Sequence, residues 1–252
     1  MLISDRHQKI LNILQEEKSV SNKKLIETLY VSEATLRRDL SKMEQKGLLQ
    51  RTHGGATIIE SPTNESSLMV REQKQIKEKR KICIKCYDFI QDNSSYFIDS
   101  SSTVSHLLPY FNNFKDITAI TNGLHNAMIL TQTTRANVYI TSGVIYTKTN
   151  SILGSDTIDY INNFNCNAFI FSCGGVSPQG VTEANFEQRL VKRAMLKNSK
   201  IHILLVDHTK FGKIYLSRTC GFEEIDYIIT DQMPSPEYLE IFKQTKTKVI
   251  VA

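Results

Sequence analysis

Residues 31–56, VSEATLRRDLSKMEQKGLLQRTHGGA, constrain this chain more than any other stretch. A polar helix start, an arginine pair on a helix and a basic, glycine-bearing hairpin follow one another in that order. Ser32 suits the N-cap of the helix, and Gly47 suits its end, because glycine enters the left-handed region without steric cost. At about 100° per residue, Leu36, Leu40 and Met43 share one face that must be buried. The opposite face carries Ala34, Arg38, Ser41 and Gln45, with Thr35 and Lys42 beside it. Short or hydrogen-bonding side chains with a cation suit a helix that enters a major groove.

The flanking segments complete a reading unit. Residues 6–18 carry Ile10, Leu11 and Leu14 at helical spacing, and Ser21 caps a short helix whose buried side is Leu25, Ile26 and Leu29. The turn at Tyr30, Val31 and Ser32 leads into the arginine-bearing helix, which is helix-turn-helix order. After Gly47, residues 48–52 and 56–59 read as two short strands joined across His53, Gly54 and Gly55. The Gly-Gly turn is expected to use positive φ and close backbone approach. An isolated Arg-Arg pair is usually a solvated face of a small helical domain. Here cap, arginine pair, apolar face, helix-ending glycine and basic hairpin coincide, and together they predict a winged helix-turn-helix on double-stranded DNA. Ser32, Thr35 and Arg38 are candidates for base or phosphate contacts, with Ser41 and Lys42 on or beside the same face. Arg37, Arg51 and His53 are candidates for the backbone or an adjacent groove. Arg37 has an alternative, pairing with Asp39.

This run closely resembles the amino-terminal signature of the DeoR family of bacterial transcriptional regulators, a VSxxTIRRDL helix followed by a GLLxRxHGGA wing. The chain has VSEATLRRDL and GLLQRTHGGA, with Leu36 where the family more often has Ile. The resemblance implies a repressor, usually of sugar uptake or catabolism genes, whose carboxy-terminal domain senses a phosphorylated metabolite.

The 252 residues leave room for a small reader and one larger domain. The net charge of +5 is unevenly placed: residues 1–60 hold ten Lys/Arg against eight Asp/Glu, and residues 71–85 hold seven against two. Cationic charge gathered at or near the reader fits a phosphate backbone as partner, although most lysines of 71–85 read as a solvated helix face. No stretch is apolar for long enough to span a bilayer, and the amino terminus lacks the apolar core of a signal peptide, so a cytoplasmic protein with no membrane partner is expected. Five cysteines, an odd number, argue for reduced thiols. Cys83 and Cys86 form a CxxC, but they share an apolar helix side with Ile82 and Ile90. No second CxxC or nearby His completes a zinc site, so neither metal nor cofactor is expected.

Residues 60–70 read as a polar, proline-bearing linker between a reader at 1–59 and a sensing domain at 71–252. In the latter, residues 96–98, 117–120, 137–140, 168–171, 201–206, 227–229 and 248–251 are short apolar or β-branched runs. Most are separated by helix-length segments such as 104–111, 124–131 and 186–198. That alternation predicts an α/β fold with a mostly parallel sheet covered on both faces. Ligand sites in such sheets lie at the carboxyl ends of strands. Three places qualify: Asp99, Ser100, Ser101, Ser102 and Thr103, which read as an anion cradle or as an ordinary N-cap and turn; Thr121 and Asn122; and Asp207 with Lys210, either a phosphate contact or a surface ion pair.

The DeoR-type sensor domain is similar to the sugar-phosphate isomerase and CoA-transferase fold, with a D-S-G-T-T-like loop, a T-N pair and a D-x-[ST]-K-F-G segment. By position, the resemblance places Asp99, Ser100, Ser102 and Thr103 on the loop, Thr121 and Asn122 on the pair, and Asp207 and Lys210 on the last segment. Ser101 stands where the loop usually has Gly, so its side chain is expected to narrow the cradle, and Ser142-Gly143 stands where Gly-Gly is common. The reading that follows is a homo-oligomer, dimer or tetramer, on an operator, switched by a phosphorylated sugar or related metabolite. A competing reading is a sugar-phosphate isomerase-like enzyme with a DNA-binding domain, using Asp99 and Lys210 as base and stabiliser. No motif places a second carboxylate beside them. A third is a DNA-architectural protein whose second domain is purely structural.

Overall fold

The structure is a computed structural model that describes residues 3–57 and 65–252. The chain divides into two compact units, Met1–Arg71 and Glu72–Ala252. The first contains α1 (Ile3–Glu17), β1 (Ser19–Ser21), α2 (Asn22–Leu29), α3 (Glu33–Gln45), β2 (Gln50–Thr52) and β3 (Gly55–Thr57), and α4 (Leu68–Gln73) starts within it.

Local chemistry sets these boundaries. Ser21 Oγ accepts the Lys24 N–H at 3.3 Å and opens α2; Tyr30, at φ 53°, ends it and turns the chain toward α3. At the far end of α3 the Leu48 N–H reaches the Met43 carbonyl at 2.9 Å and the Gly47 N–H reaches that of Glu44 at 2.8 Å. Gly47 supports this crossed closure at φ 66°. Ile10, Leu11 and Leu14 of α1, Leu25 and Leu29 of α2, and Leu36, Leu40 and Met43 of α3 make one apolar core.

The wing differs from expectation in two ways. It has three strands, order β1-β3-β2, because Ser19–Ser21 pairs antiparallel with β3. Neither Gly54 nor Gly55 has positive φ. Gly55 is required for closeness instead, since a Cβ there would overlap the Val20 carbonyl.

The end of the expected second strand, Ile58 and Ile59, and residues 60–64 of the expected linker lie outside the described residues. Residues 68–70 are not linker. They open α4, where Leu68 and Val70 are buried and Val70 joins the core of the first unit. Apolar side chains at 68 and 70 give the segment something to bury, which an open linker lacks.

The second unit runs α5 (Ile76–Cys86), β4 (Ser95–Ile98), α6 (Ser102–Ser105), β5 (Thr118–Thr121), α7 (Leu124–Thr133), β6 (Asn137–Ile140), β7 (Val144–Tyr146), β8 (Ser151–Leu153) and α8 (Ser155–Ile161). It continues with β9 (Cys166–Phe171), β10 (Gly175–Ser177), β11 (Gly180–Glu183), α9 (Phe186–Lys197), β12 (Ser199–Leu205), β13 (Ser217–Cys220), β14 (Tyr227–Thr230), α10 (Pro236–Thr245) and β15 (Lys248–Val251). Seven strands form a parallel sheet of order β15-β14-β12-β9-β4-β5-β6. Each of the seven runs read as strands in the sequence overlaps one of its strands, with Ile117 and Val206 just outside.

Alternation along the strands splits the interior into two layers. Phe97, Ile120, Phe169, Phe171 and Leu204 pack with Ile161, Val191, Met195 and Phe242 from α8, α9 and α10. Tyr96, Ile98, Ala119, Ile170 and Leu205 pack with Ile82, Cys86, Val104 and Leu130 from α5, α6 and α7. Residues 104–111 do not form the single helix expected. One turn of α6 is followed by a 3-10 segment, Leu108–Asn113, because Pro109 lacks an N–H and blocks the preceding turn.

Candidate nucleic-acid interface and effector site

In the first unit, Arg37, Arg38 and Lys42 are exposed on α3, and His53 is exposed at the wing tip. Arg51 is half-buried and clamps wing to helix: its Nη1 donates to Ser41 Oγ at 2.8 Å and its backbone N–H to Glu44 Oε1 at 2.8 Å. Ser41 thus already orients Arg51. Ser32 Oγ accepts the Thr35 N–H at 3.3 Å and lies 2.9 Å from Thr35 Oγ1, so these two hydroxyls cap the helix. Arg38 Nε donates to the Ala34 carbonyl of its own helix, at 3.4 Å.

A cleft lined by Asn22, Glu33, Leu36, Arg37, Leu40, Arg51 and His53 brings together the three residues assigned to backbone or adjacent-groove contacts. Asp39 does not take Arg37 as its partner. It is buried, with Arg6 Nε at 2.5 Å, Arg6 Nη2 at 3.1 Å and His7 Nε2 at 3.2 Å. Burial pushes the Asp39 carboxyl up, but the Arg6 and His7 hydrogen bonds and the Arg6 charge outweigh it and hold the carboxyl below its usual range. Arg37 therefore remains outward.

In the second unit the chain leaves β4 toward β5 and β6 on one side of the sheet, while β9, β12, β14 and β15 build the other. The β4–β9 seam is thus the point where strand order reverses, the usual place for a ligand crevice beyond the carboxyl ends. Residues 99–103 follow β4, Ser172 follows β9, Asn122 follows β5, and Asp207 and Lys210 follow β12. These four strands are neighbours.

Asp99 is the hub of the seam. Its Oδ1 accepts the Ser101 N–H at 3.0 Å and the Ser101 hydroxyl at 2.5 Å; its Oδ2 accepts the Ser172 N–H at 3.0 Å. Lys192 of α9 lies 3.1 Å from Oδ2, donates to the Ser172 carbonyl at 2.6 Å, and pairs with Glu183. Burial alone would lower the Lys192 pKa, but the charges of Glu183 and Asp99 raise it. The side chain that replaces the usual loop glycine is thereby folded back onto Asp99, and it also caps α6 through the Val104 N–H at 3.4 Å.

The other loop hydroxyls are tied as well: Ser100 to Gln188 at 3.5 Å, Ser102 to Lys79 at 3.1 Å, and Thr103 to Ser172 at 3.4 Å. The Cys83 thiol donates to the Thr103 carbonyl at 3.2 Å, and burial pushes the pKa of it and of Cys86 up, which disfavours the thiolate. All five cysteines are free and buried. The N–H groups of Ser102 and Thr103 are those that a helix start leaves without intrahelical acceptors.

Thr121 Oγ1 accepts the Gly123 N–H at 3.0 Å, while Asn122 Nδ2 donates to the Ile152 carbonyl at 3.2 Å and leaves Oδ1 buried with no partner among the described residues. Gly123 is needed because a Cβ would come within 2.9 Å of Ser100 Cα. Asn126 Nδ2 then reaches the Asp99 carbonyl at 2.6 Å. Asp207 is spent on Thr209, whose N–H lies 3.0 Å away. It is not the partner of Lys210, which is half-buried and has no ion pair among the described residues.

The sequence reading thus missed Lys192, Glu183, Gln188 and Lys79. The cation beside Asp99 is Lys192, not Lys210, and Glu183 is the second carboxylate that no motif revealed. A signal existed: Gln188 and Lys192 fall four apart on the face of α9 that buries Val191 and Met195. Polar side chains inside an apolar stripe need partners.

The profile described as the DeoR C terminal sensor domain matches residues 74–232, and the DeoR-like helix-turn-helix domain matches residues 6–62. The chain belongs to the DeoR family. It is a DNA-binding transcriptional regulator. Similar DeoR-type relatives include the HTH-type transcriptional regulator GolR of Listeria innocua, 29% identical over 98% of this chain and 98% of its own. The glycerol-3-phosphate regulon repressor of Escherichia coli is 28% identical over 94% of each chain. The lactose phosphotransferase system repressor of Staphylococcus epidermidis is 30% identical over 90% of this chain and 91% of its own. Among solved structures, ribose 5-phosphate isomerase A of Methanocaldococcus jannaschii matches with a TM-score of 0.41 and 10% identity over 55% of each chain. Among the described residues, no helix is long and apolar enough to cross a membrane.

Proposed function

We propose that this DeoR-family chain is a cytoplasmic repressor of sugar uptake or catabolism genes, bound to its operator as a homo-oligomer and switched by a phosphorylated sugar or related metabolite. The observation that carries the DNA-binding part is the cleft where Arg37, Arg51 and His53 meet, beside exposed Arg38 and Lys42 on α3. Arg38 reads a base edge; the others hold phosphates. Support for the sugar assignment comes from relatives named for the glycerol-3-phosphate regulon and the lactose phosphotransferase system.

The effector occupies the crevice over the β4–β9 seam, with the Ser102 and Thr103 N–H groups and Lys210 facing its phosphate. It acts by favouring one arrangement of the readers over another, since a ligand that binds both equally shifts nothing. Selection from random duplexes tests the DNA half: an enriched repeated half-site supports it, and recovery of unrelated sequences overturns it.

The enzyme reading gains two carboxylates and an ammonium in Asp99, Glu183 and Lys192. Lys192 is already shared among Asp99, Glu183 and the Ser172 carbonyl, which favours a structural role over proton transfer. Product analysis after prolonged incubation with phosphosugars separates the two: unchanged sugars support a sensor, and an isomerised product supports an enzyme.

A further inference from the structure

Two buried polar atoms at the carboxyl ends of β5 and β6, Asn122 Oδ1 and Thr141 Oγ1, have no partner among the described residues. The two strands are parallel with Thr121 opposite Ile140, so Asn122 and Thr141 are the next positions along. Ile120 packs toward α8 and α9; by strand alternation residue 122 returns to that face, and residue 141 with it. Asn122 is 1% exposed and Thr141 3%. Their backbone is fixed: the Asn122 carbonyl accepts the Ile152 N–H at 2.7 Å, and the Thr141 N–H reaches the Thr121 carbonyl at 3.0 Å. Ser142 ties the chain to α8, its carbonyl accepting from Thr157 Oγ1 at 2.7 Å and its hydroxyl donating to the Asp156 carbonyl at 2.9 Å. The Ile152 carbonyl only accepts, so the Asn122 amide nitrogen must face it and Oδ1 is the atom left over. Folded chains normally avoid such orphans, because each costs free energy.

We propose that Asn122 and Thr141 together read a hydroxyl group of the effector. This rests on the sugar-phosphate reading above and assigns the end of the ligand away from its phosphate. An amide oxygen only accepts, so the group it meets must donate, whereas the Thr141 hydroxyl can donate or accept. A phosphate or carboxylate has no proton to give Oδ1. An ammonium would be buried against two uncharged side chains, and Asp99, one strand away, is already matched by Lys192. A hydroxyl donates to Asn122 and accepts from Thr141 at once. Neighbouring strands lie about 4.8 Å apart, so the pair is one to two strand spacings from the loop after β4. That is within the length of a sugar phosphate whose anionic end lies over that loop. Water has the same donor and acceptor, and the test separates it from a ligand hydroxyl.

The full chain on its operator is titrated with glycerol 3-phosphate, ribose 5-phosphate, fructose 6-phosphate and glucose 6-phosphate, for parent, Thr141→Val and Thr141→Ser. Monodeoxy forms of whichever probe moves operator affinity are then compared. The expected result is a midpoint raised about tenfold in Thr141→Val and restored in Thr141→Ser. One monodeoxy form should lose about tenfold in the parent and nothing further in Thr141→Val, since both changes remove one contact. Without ligand, Thr141→Val should melt no lower than the parent, because it deletes a buried orphan hydroxyl. A Thr141→Val midpoint equal to the parent's overturns the hydroxyl contact and leaves the switch reading standing. A fall of several degrees in melting makes the hydroxyl structural, which also overturns the assignment. Operator affinity that none of the four probes moves overturns the inference and the switch reading together.

Discussion

The Nζ atom of Lys192 lies 3.1 Å from Oδ2 of Asp99, with both side chains inside the second unit and almost free of solvent. The same ammonium pairs with Glu183 from the end of β11, so one cation joins the loop after β4, the helix α9 and a separate small sheet.

Lys192→Met is expected to cost about 3–5 kcal/mol, because it strips two buried carboxylates of their shared cation. Urea unfolding of the parent and variant measures this. A loss below about 1 kcal/mol would contradict the role assigned to the pair.

Arg38→Ala is expected to weaken operator binding by about 1–3 kcal/mol and to relax sequence preference at one position. Among the described residues Arg38 has no partner beyond its own helix, so the fold should be unaffected. Competition binding with single-base operator variants reads the outcome, and parent-like affinity and preference would remove Arg38 from base contact.

Arg51→Ala removes one of the two links between wing and helix. Its guanidinium holds Ser41, while the backbone N–H to Glu44 survives the substitution, so the phosphate contact is lost and wing placement is loosened. The expected result is weaker binding to all sequences and a salt slope reduced by about one. Unchanged salt dependence would make Arg51 purely structural.

The reader was legible because its chemistry is local: caps, an apolar face and a helix-ending glycine lie within a few residues of what they act on. The sheet was legible for a similar reason, as each strand is a short apolar run. What escaped depends on distant partners. Lys192 reads as one more helical lysine until α9 is laid against β9. The strands β10, β11 and β13 include polar or glycine positions, such as Gly175, Gly180 and Arg218, that dilute the apolar pattern. Leu68 and Val70 were hidden in a polar stretch that looked like linker.

His125 Nε2 and Glu72 Oε1 are 2.6 Å apart, and that hydrogen bond raises the His125 pKa above its ordinary value against the pull of burial. A raised histidine stabilises fully below about pH 6.5, its unfolded value, and the benefit fades as pH rises through the folded one. His106 has the opposite sign, since burial lowers it, so the comparison must isolate one residue. Melting of parent and His125→Gln across pH 5.5 to 8.5 should show a difference largest at the acid end. A difference that grows toward alkaline pH would contradict the pairing.

In the proposed switch, a phosphorylated ligand at the β4–β9 seam controls DNA binding and Lys210 holds its phosphate. Lys210 is half-buried in the turn beyond β12, with no ion pair among the described residues, and a charge-assisted contact there is worth about 1.5–3 kcal/mol, roughly ten- to hundredfold in affinity. The most direct measurement titrates operator-bound protein with a panel of sugar phosphates and their unphosphorylated sugars, for parent and Lys210→Ala. The expected result is that at least one phosphate shifts operator affinity in the parent, that its free sugar does not, and that Lys210→Ala binds operator normally but needs about ten- to hundredfold more ligand. Operator affinity that no phosphorylated sugar moves, or a mutant midpoint equal to the parent's, would contradict it.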